Sequence, residues 1–214
     1  MAGEIDSNLS QLEQSPLNQA GQMTAMKKVL RQQVLQAREQ LKQDLRDAAE
    51  AAITQRLSLM PEYRQANSVL GYMNFGTEYA STLWIAQVLE QGKRLALPKV
   101  NRDKLELYWV NDLKSQLAPG AWGIKEPLTE RCVPLRNLEE IDFVLLPGVA
   151  FTKQGARLGY GKGYYDRLLE NQHGATLVAA AFSMQIIEHI PQDATDLKVQ
   201  WLVTETASYY CCVT

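Results

Sequence analysis

FTKQGARLGYGKGYYDRL, residues Phe151 to Leu168, sets Gly155, Gly159, Gly161 and Gly163 around Arg157 and Lys162 and ends on Tyr164, Tyr165 and Asp166. Glycines at alternate positions let a backbone take positive φ and approach a ligand with no side chain in between. Successive exposed N–H groups and two cations then make a cradle suited to phosphate. An aspartate just beyond is placed to hold Mg²⁺, which takes few carboxylates and keeps phosphate oxygens as its other ligands. The stretch follows an apolar, strand-like run, Asp142 to Val149, and leads into a helix-like run, Tyr164 to Glu170. Strand, loop and helix in that order are where α/β proteins bind anions. Two templates are excluded. A Walker A loop fails because Ala156 and Gly163 stand where its first glycine and its final Ser/Thr belong, so Mg²⁺ has to be held from elsewhere. The dinucleotide fingerprint fails because Tyr164 stands in place of its third glycine. A flexible glycine-rich surface loop is the bland alternative, and the close clustering of cations, aromatics and acid weighs against it.

Outward from this stretch, strands alternate with helices. Toward the N-terminus lie expected strands at Leu105 to Val110, Arg94 to Pro98 and Ser68 to Met73, with an amphipathic helix from Ser81 to Gln91 that Gly92 ends. Toward the C-terminus lie Thr176 to Phe182 and Trp201 to Thr204. Pro119 to Pro134 is a turn-rich connection holding Trp122. From Thr24 to Met60 there is no Gly or Pro, which predicts helix, with a break near Lys42 to Asp44 and a stop at Pro61. Residues 1–23 are polar and aperiodic and are expected to form a flexible arm ahead of one domain, residues 24–214. The expected fold is α/β: a single-domain three-layer sandwich with a mostly parallel or mixed central sheet and helices on both faces.

With 46% hydrophobic residues and a net charge of −2 over 214 residues, the composition is that of a globular chain with one sizeable core. Near-neutral charge argues against a nucleic-acid surface. No apolar run approaches a membrane span, and MAGEIDSNLS lacks the regions of a signal peptide, so a cytoplasmic location is expected. Cys132, Cys211 and Cys212 have no metal-ligand spacing, His173 and His189 read as surface or structural, and Ser183 lacks nucleophile-elbow glycines.

The first helix carries a second signal. At 100° per residue Lys27, Arg31 and Arg38 fall within about 40° of one another, beside an apolar stripe of Leu30, Val34, Ala37 and Leu41. Lys27 and Lys28 sit where the helix dipole disfavours cations, a cost that an anionic ligand offsets. A solvated basic face accounts for the same pattern.

Taken together, these residues resemble the 5-formyltetrahydrofolate cyclo-ligase (5,10-methenyltetrahydrofolate synthetase) family. The resemblance rests on LPGVAFTKQGARLGYGKGYYDR, supported in order by KKVLR, YMNFGTE, AWGIKEP and IPQDATDLKV, and runs from Lys27 to about Thr206. It implies a single-domain α/β enzyme that uses ATP and Mg²⁺ on a reduced folate, and a monomer is expected. By position it implies ATP contacts from Lys27, Arg31 and Arg157, Leu158, Gly159, Tyr160, Gly161, Lys162, Gly163, Tyr164 and Tyr165. Arg157, Lys162 and Tyr165 are the implied catalytic groups, and Asp166 and Asp196 the implied Mg²⁺ carboxylates. Met73, Glu78, Trp122 and Tyr165 are the implied folate contacts. Two departures stand out: Gln200, where many members carry aspartate, and Tyr160, where some carry arginine. The second suggests that Arg157 and Lys162 supply the loop's charge.

The residues themselves suit these roles and simpler ones. A flat pterin with amide-like edges fits an aromatic face plus a carboxylate, which Trp122 and Glu78 offer. Trp122 by itself reads first as core, and Glu78 equally as an acid at a helix N-terminus. Only one of Tyr164 and Tyr165 can point inward if the backbone is extended. Two other functions share the pattern: a catalytically silent nucleotide- and folate-binding module, and a sugar-phosphate isomerase with no need of ATP. Arg157→Ala is expected to lower turnover far more than folding stability.

Overall fold

The computed structural model describes residues 19–171, 174–193 and 195–211. In chain order the helices are α1 (Gln19–Glu39), α2 (Gln43–Leu59), α3 (Pro61–Gln65), α4 (Thr82–Glu90) and α5 (Tyr164–Leu169). The strands are β1 (Ser68–Leu70), β2 (Arg94–Asn101), β3 (Lys104–Val110), β4 (Leu117–Pro119), β5 (Lys125–Pro127), β6 (Val133–Pro134) and β7 (Phe143–Leu146), then β8 (Ala150–Phe151), β9 (Arg157–Leu158), β10 (Thr176–Ala180), β11 (Trp201–Val203) and β12 (Ser208–Tyr210).

β7 is apolar at every position because both its faces are buried, the mark of a central strand in a parallel sheet. Phe143 and Leu145 enter one core, and Val144 and Leu146 the core on the opposite face. β1 is split the same way between Val69 and Leu70. These strands are the middle of an eight-stranded sheet in the order β12-β11-β10-β7-β1-β2-β3-β6. β11, β10, β7, β1 and β2 run parallel, and β12, β3 and β6 are added antiparallel at the edges. The sheet is therefore mixed, with a parallel centre. Ile53 and Leu57 of α2, Tyr63 of α3 and Trp84 and Ile85 of α4 cover one face. α5 covers the other through Leu169, with irregular chain completing the layer.

The connections leave the two middle strands in opposite directions. β1 leads through α4 to β2 on one side, while β7 leads through α5 to β10 on the other. Such a switch point opens a crevice beyond the carboxyl ends of the strands, where α/β sheets bind ligands. Between β7 and α5 the chain makes a small hairpin, β8 against β9, turned at Gly155. The loop proper is thus shorter than the expected strand–loop–helix, running from Gly159 to Gly163. Two-residue strands carry no periodicity from which to anticipate them. α1 packs Leu30 and Val34 on this hairpin, against Val149, Ala156 and Leu158, and so sets its cationic row beside the loop.

α1 begins at Gln19 rather than Thr24, which corrects the arm boundary: Gln19–Met23 are helical. Thr24 does not cap the helix, since its hydroxyl donates back to the Ala20 carbonyl at 2.9 Å. Residues 1–18, His173 and Cys212 lie outside the described residues. The helical break falls at residues 40–42, slightly before the expected place. Among the described residues no helix is long and apolar enough to cross a membrane.

Candidate active site

A cavity of about 660 Å³ occupies the switch point. Lys27, Arg31, Met73, Glu78, Trp122, every residue from Arg157 to Asp166, and Asp196 all line it. Each residue anticipated from the sequence therefore meets the others in one place. Its volume lies within the range of small-molecule sites.

One end is cationic and rich in backbone amides. Gly161 and Gly163 take φ of +94° and +63°, which curls the loop toward α1. Arg31 Nε donates to the Gly159 carbonyl at 2.7 Å and so fixes the helix to the loop. Burial lowers the pKa of Arg31, and the neighbouring Asp196 opposes the shift. Lys27 Nζ lies 2.6 Å from Asp196 and 3.0 Å from Asp193. Burial disfavours the charged amine, but the two aspartates outweigh it and raise its pKa. Lys162 is exposed at the mouth. Arg157 is 8% exposed; Nη2 donates to Asp166 Oδ1 at 2.6 Å and Nη1 to the Pro147 carbonyl. Its guanidinium is thus engaged within the wall, and Arg31, Lys27 and Lys162 are the cations nearer a ligand.

The other end is aromatic and holds a buried carboxylate. Glu78 is 5% exposed; Oε2 accepts the Phe75 N–H at 2.7 Å and Oε1 has no partner. Burial raises its pKa, against the Phe75 N–H, the Arg38 charge and the nearby Tyr160 hydroxyl. A buried acceptor without a donor is costly, on the order of 1–3 kcal/mol, and suits a ligand N–H. Trp122 is not core: it is 57% exposed, with its ring 6.5 Å from that of Tyr164. Its φ of +54° is rare for a bulky residue, and strain of this kind gathers at binding sites. The β4–β5 hairpin that carries it rests on Glu126, whose carboxylate a Cβ at Gly120 would overlap. Glu126 is itself tied to β2 by the Val100 N–H and Lys99. Tyr164 and Tyr165 both reach the cavity because the backbone there is helical, not extended. Burial, with the charge of Glu78, holds the Tyr165 hydroxyl protonated well above its ordinary range.

The donor set fits Mg²⁺ carried in with phosphate. Among the described residues no cluster of three or more acidic, His or Cys groups forms a closed metal cage. The Leu197 N–H, next to Asp196, donates to Asp166 Oδ1, so the two carboxylates share a corner. Asp166 Oδ2 takes no hydrogen bond among the described residues. One or two carboxylates plus phosphate oxygens are what Mg²⁺ requires. Gln200 lies apart from this corner, its Oε1 accepting the Leu177 N–H at 2.8 Å. The departure there does not touch the cavity. Sequence reasoning did not single out Phe75, half-exposed and edge-on to Tyr160 at 6.0 Å, or Tyr72 and Glu126. Phe75, lying just before Gly76 at a strand end, was the one with a local signal.

The description "5-formyltetrahydrofolate cyclo-ligase family" belongs to the family model that matches residues 23–205. The chain belongs to that family. It is an enzyme, with the activity of a 5-formyltetrahydrofolate cyclo-ligase, or 5,10-methenyltetrahydrofolate synthetase. It is 32% identical to the 5-formyltetrahydrofolate cyclo-ligase of Haemophilus influenzae, over 70% of this chain and 81% of that protein. It is 29% identical to a probable 5-formyltetrahydrofolate cyclo-ligase of Schizosaccharomyces pombe, over 74% and 84%. The solved structure of Aquifex aeolicus 5,10-methenyltetrahydrofolate synthetase superposes with a TM-score of 0.76 at 37% identity, covering 88% of this chain and 94% of that one.

Proposed function

We propose that this chain uses Mg²⁺ and ATP to close 5-formyltetrahydrofolate into 5,10-methenyltetrahydrofolate, with the residues of this one cavity in the following roles. The formyl group is an amide, so its carbon is a poor electrophile and its oxygen a poor leaving group. The formyl oxygen attacks the γ-phosphorus of ATP as the N5 lone pair moves toward carbon, and the bond to the β-phosphate oxygen breaks to release ADP. N10 then adds to the activated carbon, loses its proton, and expels phosphate. Phosphoryl transfer depends on alignment and on stabilising charge at the phosphate oxygens. Arg31, Lys27, Lys162 and the amides of Gly159 to Gly163 serve the phosphates. Asp166 and Asp196 would hold Mg²⁺, which would supply neutralisation of phosphate charge. Arg157 fixes the Asp166 carboxylate through Oδ1. Glu78 accepts from the pterin edge while Trp122 and Met73 cover its face. Tyr165, protonated and between the two ends, donates to the oxygen in transit.

The observation that carries this assignment is the single cavity with a cationic, amide-rich end and an aromatic end holding a buried carboxylate with an unpartnered oxygen. An isomerase acting on one phosphate has no use for the second end. The test is to supply 5-formyltetrahydrofolate with and without Mg·ATP and follow the near-ultraviolet absorbance of the methenyl product together with phosphate release. Product that needs Mg·ATP, one phosphate per turnover, is expected. Binding of both ligands with no product would replace the enzyme by a silent module, and product without ATP would overturn the phosphorylation step.

A further inference from the structure

Behind the cavity wall lies a guanidinium that the proposed chemistry does not use. Arg38, in the last turn of α1, is 2% exposed and does not line the cavity. A buried guanidinium is retained only where its surroundings compensate for lost water. Nε donates to Thr77 Oγ1 at 3.0 Å, Nη2 donates to the Tyr160 hydroxyl at 2.9 Å, and Nη1 has no partner. Thr77 precedes Glu78, the folate-side carboxylate, and Tyr160 belongs to the glycine loop. Arg46 braces the same place, donating to the carbonyls of Arg38 and Thr77 at 2.6 and 2.7 Å. One planar fork thus spans the seam between the two ends of the cavity, and the edge-on contact of Phe75 with Tyr160 crosses it too.

We propose that Arg38 is a positioning residue that couples the two ends: by holding the Tyr160 hydroxyl to the Thr77–Glu78 corner, it makes ordering of the loop around nucleotide and seating of folate on Glu78 a single event. The inference rests on the assignment of folate to the Glu78 end and nucleotide to the loop. Coupling of this kind is reciprocal, so nucleotide tightens folate by the factor by which folate tightens nucleotide. The charged and titratable groups facing Glu78 are Arg38 from α1, Tyr72 from beyond β1, Tyr160 from the loop and Tyr165 from α5. Arg38 supplies the positive charge among them. Its loss therefore also moves the titration of Glu78 upward.

The experiment titrates 5-formyltetrahydrofolate into the full chain with and without Mg²⁺ and a non-hydrolysable ATP analogue, for wild type, Tyr160→Phe, Arg38→Lys and Arg38→Met. In wild type the nucleotide is expected to tighten folate about fivefold or more. In Tyr160→Phe, which removes the hydroxyl that Arg38 holds, and in Arg38→Lys, which replaces the planar fork by a single ammonium, that factor falls toward one. The acid limb of kcat/KM for folate stays in place in Arg38→Lys, which keeps the charge, and moves to higher pH in Arg38→Met. Should Arg38→Met not fold, the two conservative variants decide the matter. Wild type that forms methenyl product but shows no coupling, or Tyr160→Phe with wild-type coupling, overturns the clamp alone. Wild type that binds no folate and makes no product overturns the parent assignment, and the clamp with it.

Discussion

Gly155 and Gly161 flank the same cradle, yet alanine at each should fail in a different way. Both have positive φ, +88° and +94°, where an L side chain costs about 1–2 kcal/mol. At Gly155 a Cβ would also fall well inside 3.0 Å of the Val199 carbonyl oxygen and meet Cys211 Cβ at 3.0 Å. Neither neighbour can retreat: Val199 is fully buried, and its N–H donates to the Gly155 carbonyl at 2.9 Å. Overpacking against fixed backbone adds about 1–3 kcal/mol. The sum, about 2–5 kcal/mol, is a large part of the 5–15 kcal/mol that holds a typical domain together. At about 2–4 °C per kcal/mol for a chain of this size, Gly155→Ala should lower Tm by roughly 5–20 °C. At Gly161 the nearest atoms are those of the Arg31 guanidinium at 3.4 Å, and the loop is exposed enough to relax. Its alanine variant should melt within about 5 °C of wild type while kcat/KM for ATP falls by about ten- to a hundredfold, since the amides no longer face the phosphates. Thermal melts run beside methenyl formation separate the two. Gly155→Ala melting with the wild type, or Gly161→Ala melting early at full kcat/KM, would refute the placement of the cradle's floor and rim.

Trp122→Ala should raise KM for folate about tenfold and leave KM for ATP unchanged, with stability altered by no more than about 1 kcal/mol because the ring is exposed; steady-state kinetics and a melt check both. Arg157→Met should lose about 2–3 kcal/mol in a denaturant titration, since Asp166 loses its ion-pair partner, the Pro147 carbonyl loses its guanidinium donor, and Asp166 is only partly exposed. Asp166→Asn, which keeps an acceptor for the Leu197 N–H, should unfold later than Arg157→Met but need more Mg²⁺ for half-maximal rate. Lys27→Met releases Asp193 and Asp196, and should bind Mn²⁺ without nucleotide where wild type does not; equal binding in both, by electron paramagnetic resonance, would count against the pair. Asp142 is exposed, yet the Asn67 and Ser68 N–H groups and the Ser68 hydroxyl outweigh desolvation and lower its pKa below 3.8. It therefore stabilises the fold above pH 3.8, an effect lost as pH falls through the lower folded value. Asp142→Asn should be less stable at pH 7, with the gap closing in acid melts only below pH 3.8.

Legibility in the sequence followed the strength of local signals. β7 and α4 were readable because one is uniformly apolar and the other amphipathic, and both obey their burial in the fold. The site was readable residue by residue through the glycine stretch and the flanking segments, and the cationic row of α1 through simple helical geometry. The pairing of β8 with β9, the edge strand β12 and the ion pairs were not. Each joins residues whose partners are fixed by tertiary packing: Arg157 and Asp166 look like two ligand contacts in a linear chain, and only folding turns them into one pair. Trp122 misleads for a related reason. A tryptophan taken by itself reads as core, whereas the hairpin on Glu126 holds this one outward in a strained conformation.

These pairings change what the Arg157 position means. Taken from the sequence alone, loss of its side chain would remove charge from the phosphates and spare the fold. In the structure its charge already belongs to Asp166, much as that of Lys27 belongs to Asp193 and Asp196. The cations and carboxylates that the chemistry needs are thereby stored against one another, which spares an empty cavity the repulsion of two bare acids and the desolvation of a lone lysine. Such an arrangement favours a ligand that brings both signs at once. A free triphosphate would meet the aspartates and a free Mg²⁺ the lysine, but Mg·ATP can exchange partners with the Lys27 pair, phosphate taking the ammonium and metal the carboxylate, while Arg157 keeps its hold on Asp166. On the proposed assignment, the phosphate end should bind the metal–nucleotide complex more tightly than free triphosphate or free metal, and equal affinity for all three would count against this account of its charge pairing.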